Sequence, residues 1–134
     1  MAVAEGKRIP FDGEDKIDTA VLEAFPYEGP RQRIVCTTNE FSAVCPYSGL
    51  PDIATIVLEY IPRAKCIELK SLKYYYLSYR NVGIYQEPAT SRIYADLFKA
   101  LEPDYLKLTV TYQTRGGIDT TTSIASDEQK HATR

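Results

Sequence analysis

The stretch "PATSRIYADLFKALEPDYLKLTVTYQTRGGIDTTTSIA", residues 88–125, carries two different periodicities one after the other. In its first part Ile93, Tyr94, Leu97, Phe98 and Leu101 recur at helical spacing, with Pro88 suited to the first helical position and Pro103 stopping the pattern. Beyond Pro103 the period becomes two. Leu106, Leu108, Val110 and Tyr112 fall on one face and Tyr105, Lys107, Thr109 and Thr111 on the other, the signature of a half-buried strand. "TRGG" (114–117) then turns the chain, and residues 118–125 return antiparallel. A helix laid before an antiparallel hairpin points to an α+β fold.

Working outward, "RIVCTT" (33–38) and "DIATIVLEYI" (52–61) read as strands rich in β-branched residues, and "AKCIEL" (64–69) is expected to pair with the second of them across Pro62 and Arg63. In "SLKYYYLSYRNV" the strand alternation is lost; Leu72, Tyr75, Tyr76 and Tyr79 recur at helical spacing, with Ser71 as the expected N-cap. The order is β-β-β-α-α-β-β, giving an antiparallel four-stranded sheet with two helices on one face. The second strand carries bulky apolar residues on both faces, Ile53, Ala54, Ile56, Val57, Leu58 and Tyr60, which favours cover by other copies of the chain, a homo-oligomer. Residues 1–30 are expected to form a partly ordered arm with one apolar patch at "VLEAF", residues 31–126 a single catalytic domain, and residues 127–134 a polar tail.

Composition sets bounds on function. A chain of 134 residues fits one domain; 44% hydrophobic and 25% charged residues are ordinary for a globular protein. A net charge of -2 gives no global attraction to nucleic acid or anionic membrane. With no apolar leader and no run of eighteen apolar residues, the reading is a cytoplasmic protein without a membrane partner. Cys36, Cys45 and Cys66 are odd in number and lack C-x-x-C spacing, so neither a disulfide framework nor a zinc knuckle is suggested. The single histidine, His131, stands in the polar tail, which argues against Ser-His-Asp or Cys-His hydrolysis and most catalytic zinc sites.

Three constellations carry possible chemistry. In "FSAVCPYSGLPD" (41–52) Pro46 biases Cys45 toward extended backbone, and the turn that follows can hold Cys45 and Asp52 at one end of the sheet. They read as a partly exposed nucleophile with a proton-handling carboxylate, or as a buried cysteine and a turn aspartate. In "ELKSLKYYY" (68–76) Lys70 and Lys73 flank the expected helix N-terminus, either as a solvated basic face or as partners for an anion such as phosphate. An RNA-facing patch with stacking tyrosines fits the acidic balance less well. Glu87, just before Pro88, either caps its helix or accepts two parallel hydrogen bonds from an N–H/NH2 edge like that of guanine, and Glu68 is similarly placed.

Taken together, the order and spacing of Cys45, Asp52, "ELKSLKYY" at 68–75 and Glu87 resemble the QueF-type nitrile reductases in their short single-module form, themselves similar to the cyclohydrolases of the tunnelling fold. The resemblance runs from "VLEAFPY" near residue 21 to "TRGG". It implies subunits that join into an oligomeric β-barrel with active sites between them. It also implies NADPH-dependent reduction of 7-cyano-7-deazaguanine to its aminomethyl form, a step toward the tRNA base queuosine, with no metal required and no direct nucleic-acid partner. On that likeness Cys45 adds to the nitrile carbon as a thioimide and Asp52 protonates nitrogen. Glu87 anchors the base edge with Glu68 and the backbone of Ile67 and Leu69, while Lys70, Ser71, Lys73 and Tyr75 belong to the NADPH site. Gln86 stands where many members carry histidine; it offers a donor and an acceptor to substrate but no cation. A related amidinotransferase acting on deazaguanine-modified tRNA and a catalytically silent purine-binding subunit are the alternatives; a zinc-dependent cyclohydrolase lacks its ligands here.

Overall fold

The strict alternation read in residues 105–112 becomes a strand in the computed structural model, which describes residues 2–129. The elements in chain order are β1 (Ala24–Pro26), β2 (Ile34–Val44), β3 (Pro51–Ile61), β4 (Lys65–Ile67), α1 (Leu69–Leu77), α2 (Gln86–Leu101), β5 (Tyr105–Tyr112) and β6 (Thr121–Ala125), with short 3-10 turns near residues 14–16, 19–21 and 126–128. A four-stranded antiparallel sheet has the order β2-β3-β5-β6. The class is α+β, as the two periodicities suggested.

One pairing differs from the sequence expectation. The segment 64–69 does not form a hairpin with β3; its residues 65–67 make a separate two-stranded sheet with β1. Both edges of β3 are already occupied, by β2 on one side and by the eight-residue β5 on the other. A long alternating strand offers more ladder bonds and more cross-strand side-chain pairs than a three-residue one. Instead β4 turns away, and the Ile67 N–H donates to the Tyr60 hydroxyl at 3.0 Å.

Expected to end near residue 38, β2 continues to Val44 through a register shift between Thr38 and Phe41. An extra residue in one strand of an antiparallel pair restores the inward phase of the side chains that follow it. Phe41 and Ala43 thereby reach the core, both 1% exposed.

The helix-covered face of the sheet carries Phe41, Ala54, Ile56, Leu58, Tyr60, Leu106, Leu108, Val110 and Tyr112, all buried. Above it lie α1, over β2, and α2, over β5 and β6. Their inward residues are Leu72, Tyr75 and Tyr76 from α1 and Ile93, Leu97 and Leu101 from α2. Each large apolar side chain sealed here contributes roughly 1.5–3 kcal/mol relative to exposure. Tyr94 and Phe98, read as part of the same stripe, stand at its margin and stack on each other at 5.7 Å.

The opposite face of the sheet presents Val35, Thr37, Ile53, Thr55, Val57, Thr109 and Thr111 and has no covering layer among the described residues. Within residues 1–30, expected as a partly ordered arm, Ile17 is 7% exposed in the core, β1 pairs with β4, and the Asp12 N–H donates to the Asn81 carbonyl at 2.7 Å.

Candidate active site

Cys45 follows the last residue of β2 directly. The tight turn between β2 and β3 is closed by the Cys45 N–H donating to the Leu50 carbonyl at 2.9 Å and the Gly49 N–H donating to the Cys45 carbonyl at 2.8 Å. Gly49 takes φ +75, and a Cβ there would stand 2.7 Å from the Ile9 carbonyl oxygen, so both backbone geometry and the approach of the N-terminal segment demand glycine. Beyond the turn the register sets Asp52 opposite Ala43, and Asp52 faces the helix side of the sheet with only 5% of its surface exposed. Cys45 and Asp52 thus share one end of the sheet, as their spacing suggested.

The partial exposure expected of the thiol is not found: Cys45 is 5% exposed, covered by its own turn. The surroundings are nevertheless polar. Burial pushes the thiol up, but the Ser48 hydroxyl, the N–H groups of Ser48 and Tyr47 and the Arg115 guanidinium outweigh it, leaving the pKa below the ordinary thiol value. Arg115 reaches this point from the β5–β6 turn and pairs with Asp52 Oδ1 through its Nη1 at 2.5 Å.

Gln86 and Glu87 lie at the same end. The Val44 N–H donates to the Val82 carbonyl at 2.9 Å and the Ile84 N–H to the Val44 carbonyl at 3.0 Å, locking the α1–α2 connection beside Cys45. Helix α2 begins at Gln86, two residues earlier than the proline rule suggested, with Tyr85 as N-cap and no side-chain capping bond. The capping reading of Glu87 therefore fails, and its carboxylate is exposed. The Gln86 carbonyl accepts from the Thr90 hydroxyl at 3.1 Å and the Tyr112 hydroxyl at 3.4 Å.

Ile67, Glu68, Leu69 and Lys70 stand elsewhere. Ile67 is tied to Tyr60, near the far end of β3, and eight residues of strand from Asp52 to Tyr60 span about 26 Å. The cap of α1 is Glu68, not Ser71 as expected: its carboxylate accepts the N–H of Ser71 at 2.6 Å and of Lys70 at 3.1 Å. Those bonds hold the Glu68 carboxyl below the usual carboxylate range. Ser71 is buried, its hydroxyl donating to the Glu68 carbonyl at 2.7 Å and accepting from the Glu23 N–H at 3.0 Å.

Tyr75 is fully buried, with its hydroxyl 2.8 Å from that of Tyr79 and 2.7 Å from Asp96 Oδ2. Burial, then the neighbouring Tyr79 and Asp96, push its phenol far above the ordinary value. Of the four residues assigned to a dinucleotide, Lys70 and Lys73 alone present charge at the surface. Lys73 lines a cavity of about 180 Å³ together with Thr38, Phe41 and Tyr76. The first amides of α1 are already taken by Glu68, so phosphate groups at this end would meet the two ammonium groups rather than a free helix terminus.

Among the described residues no three His, Cys, Asp or Glu side chains are grouped as metal ligands would be, and no helix is long and apolar enough to cross a membrane. His131 lies outside the described residues. Sequence reasoning missed Arg115. Its signal lay in the β3–β5 register: Ala54 opposes Tyr112, which carries Asp52 to the level of Thr114 and its neighbour Arg115.

Fold and site together define a thiol-bearing α+β enzyme module in which Cys45, Asp52 and Arg115 share one end of the four-stranded sheet, while Lys70 and Lys73 stand on α1. The family model described as "QueF-like protein" matches residues 51–131. The chain is 54% identical over 131 residues, 97% of its own length and 96% of the relative's, to the NADPH-dependent 7-cyano-7-deazaguanine reductase of Thermotoga petrophila. The reductase of the same name from Caldicellulosiruptor bescii is 53% identical over 116 residues, 85% of this chain and 88% of the relative. Among solved structures, the apo archaeosine synthase QueF-Like is similar with a TM-score of 0.66 and 25% identity, covering 77% of this chain and 100% of the other. The chain belongs to the QueF-like family, and it is an oxidoreductase.

Proposed function

We propose that this enzyme reduces the nitrile of 7-cyano-7-deazaguanine to the aminomethyl group with two equivalents of NADPH, through a thioimide on Cys45, as a cytoplasmic step in making the tRNA base queuosine. The observation that carries the reading is the end of the sheet that gathers Cys45, in its tight turn, with Asp52 and its ion-pair partner Arg115. A nitrile carbon accepts hydride poorly. Addition of sulfur and protonation of nitrogen convert it to a C=N unit that accepts hydride more readily. Cys45 supplies the nucleophile and Asp52 the proton, so no imidazole is needed.

Glu87, exposed and free of a capping duty, accepts the N–H and NH2 of the base edge, and Gln86 contributes a donor and an acceptor beside it. The backbone of Ile67 and Leu69, with Glu68, lines the base from the other side. NADPH, when bound, supplies hydride. Lys70 and Lys73 hold its phosphates, while Ser71 and Tyr75 support the helix that carries those lysines.

The distance of about 26 Å along β3 between Asp52 and the Ile67–Lys70 end supports active sites shared between subunits. The uncovered sheet face with Val35, Ile53 and Val57, and the open edges of β2 and β6, support closure of several copies into a β-barrel. Identity of 54% to reductases, against 25% to the archaeosine synthase, favours the reductase over the amidinotransferase reading.

The test is NADPH absorbance with and without the cyano-deazaguanine, joined to mass spectrometry of Cys45. Substrate-dependent oxidation that Cys45→Ala abolishes is the expected result. A substrate adduct with no oxidation would point to amidinotransferase chemistry, and binding with neither would point to a silent purine-binding subunit.

A further inference from the structure

Among the described residues, one buried side-chain oxygen or nitrogen has no hydrogen-bond partner: the Tyr76 hydroxyl. The phenols around it are provided for. The Tyr75 and Tyr79 hydroxyls meet at 2.8 Å, Asp96 accepts from Tyr75 at 2.7 Å, and the Tyr60 hydroxyl accepts from the Ile67 N–H. Tyr76 itself is 8% exposed, with Phe41 edge-on to its ring at 6.1 Å and the Tyr75 ring at 6.0 Å. Burial, then the neighbouring Cys36 and Tyr79, push its phenol far above the ordinary value, so the group stays a neutral O–H donor. An unpaired buried hydroxyl works against the fold and calls for a reason; a partner brought from outside the chain is one.

Tyr76 lines the cavity of about 180 Å³ between β2 and α1. The strand supplies Cys36, Thr38 and Phe41 to its wall, and the helix supplies Leu69, Leu72 and Lys73. Exposed Lys73 and Glu40 are the charged groups there; the other lining side chains are apolar or carry a hydroxyl or thiol. Pockets that take a drug-sized ligand whole run to roughly 300–1,000 Å³, so this one suits a single ring system. Cys36 and Leu69 also line a second cavity, to which Ile67 and Glu68 contribute. The two cavities therefore adjoin.

We propose that Tyr76 is a binding residue for the nicotinamide end of the dinucleotide: the ring enters the cavity between β2 and α1, and the Tyr76 hydroxyl donates to the carboxamide oxygen. This rests on the NADPH-dependent reading above. A ring that gives hydride has to adjoin the base, and Leu69, whose backbone borders the base on that reading, lines this cavity too. Lys73 on the same wall is then within the reach of the phosphates that follow the ring. The adenine end has no such need to stand beside the base. A carboxamide oxygen accepts from a phenol, so the one orphaned donor gains its partner only when the ring is in place.

The experiment is isothermal titration calorimetry of the full-length protein with NADP+ and with adenosine 2′,5′-bisphosphate, which lacks the nicotinamide half, for wild type and Tyr76→Phe. The variant is expected to bind NADP+ roughly three- to tenfold more weakly, the loss of one neutral hydrogen bond. Its affinity for the bisphosphate is expected to stay at the wild-type value. Its thermal melt without ligand is expected to equal or exceed that of wild type, because the oxygen removed has no partner in the free protein. Unchanged NADP+ affinity in Tyr76→Phe would overturn the proposal. So would equal weakening toward both nucleotides, which would put the adenine end in the cavity or, joined to a lowered melt, make Tyr76 a packing residue. Wild-type protein that binds neither nucleotide and leaves NADPH unoxidised beside the cyano-deazaguanine would instead sink the reductase reading on which the proposal stands.

Discussion

Tyr75→Phe separates a ligand-binding role from a packing role at a residue whose motif position suggests the first and whose surroundings support the second. Its hydroxyl meets Tyr79 at 2.8 Å and Asp96 Oδ2 at 2.7 Å; Asp96 Oδ2 also accepts from Arg92 at 2.9 Å and Thr19 at 3.0 Å. Removing the oxygen leaves the ring volume in place and Asp96 still doubly bonded. The buried Tyr79 hydroxyl, however, loses its partner. An orphaned hydroxyl costs about 1–3 kcal/mol and a bond to a charged acceptor contributes a similar amount, so the overlapping losses come to roughly 2–4 kcal/mol. At about 2.1 cal/mol/K per residue a chain of this size loses roughly 3–4 °C of Tm per kcal/mol, giving a fall of about 7–14 °C. Urea unfolding of all variants at one fixed protein concentration keeps any contribution of self-association the same between them. A Tyr75→Phe/Tyr79→Phe double variant is expected to be barely less stable than the single one, because no hydroxyl is then orphaned. Stability unchanged to within about 0.5 kcal/mol, together with a raised KM for NADPH, would refute this reasoning and return the hydroxyl to the cofactor.

Two further outcomes concern assembly. Val57→Lys places a charge at the centre of the uncovered sheet face, and light scattering after gel filtration is expected to record a monomer-sized particle without turnover; a full-size active oligomer would show that this face is not buried between copies. Inactive Cys45→Ala and inactive Lys70→Ala/Lys73→Ala proteins, unfolded and refolded together, are expected to recover part of the wild-type turnover, since mixed interfaces would pair an intact thiol end with an intact lysine end. No recovery from a mixture that forms hybrid oligomers would place both ends of the site in one subunit.

Much of the fold was legible because long elements with one clear period leave little choice. The stripe from Ile93 to Leu101 and the alternation from Leu106 to Tyr112 appear as read. Expectations failed where a short segment had to choose among partners that no local pattern names. Residues 65–67 pair with residues 24–26 rather than with the adjacent strand because β5 already fills that edge. Ser71 satisfies the usual preference for an N-cap residue. Its hydroxyl, drawn inward to the backbone of residues 23 and 68, leaves the amides of Lys70 and Ser71 to the Glu68 carboxylate.

The site was readable to the extent that its members lie close in sequence. Asp52 stands seven positions after Cys45, and a tight turn brings both to one end of the sheet. Arg115 is 63 residues from Asp52 and enters only through the register of β3 against β5, which a propensity argument does not supply. That distance has a chemical counterpart. A thiol and a carboxylate that share one end of a sheet disfavour each other's ionisation, and the positive charge at that end comes from a neighbouring hairpin rather than from their own turn. The turn supplies only dipoles, from Ser48 and two backbone amides, while the full charge arrives with Arg115. On the proposed mechanism, this division of labour would prepare Cys45 for addition without an imidazole, in a chain whose sole histidine stands in the terminal segment.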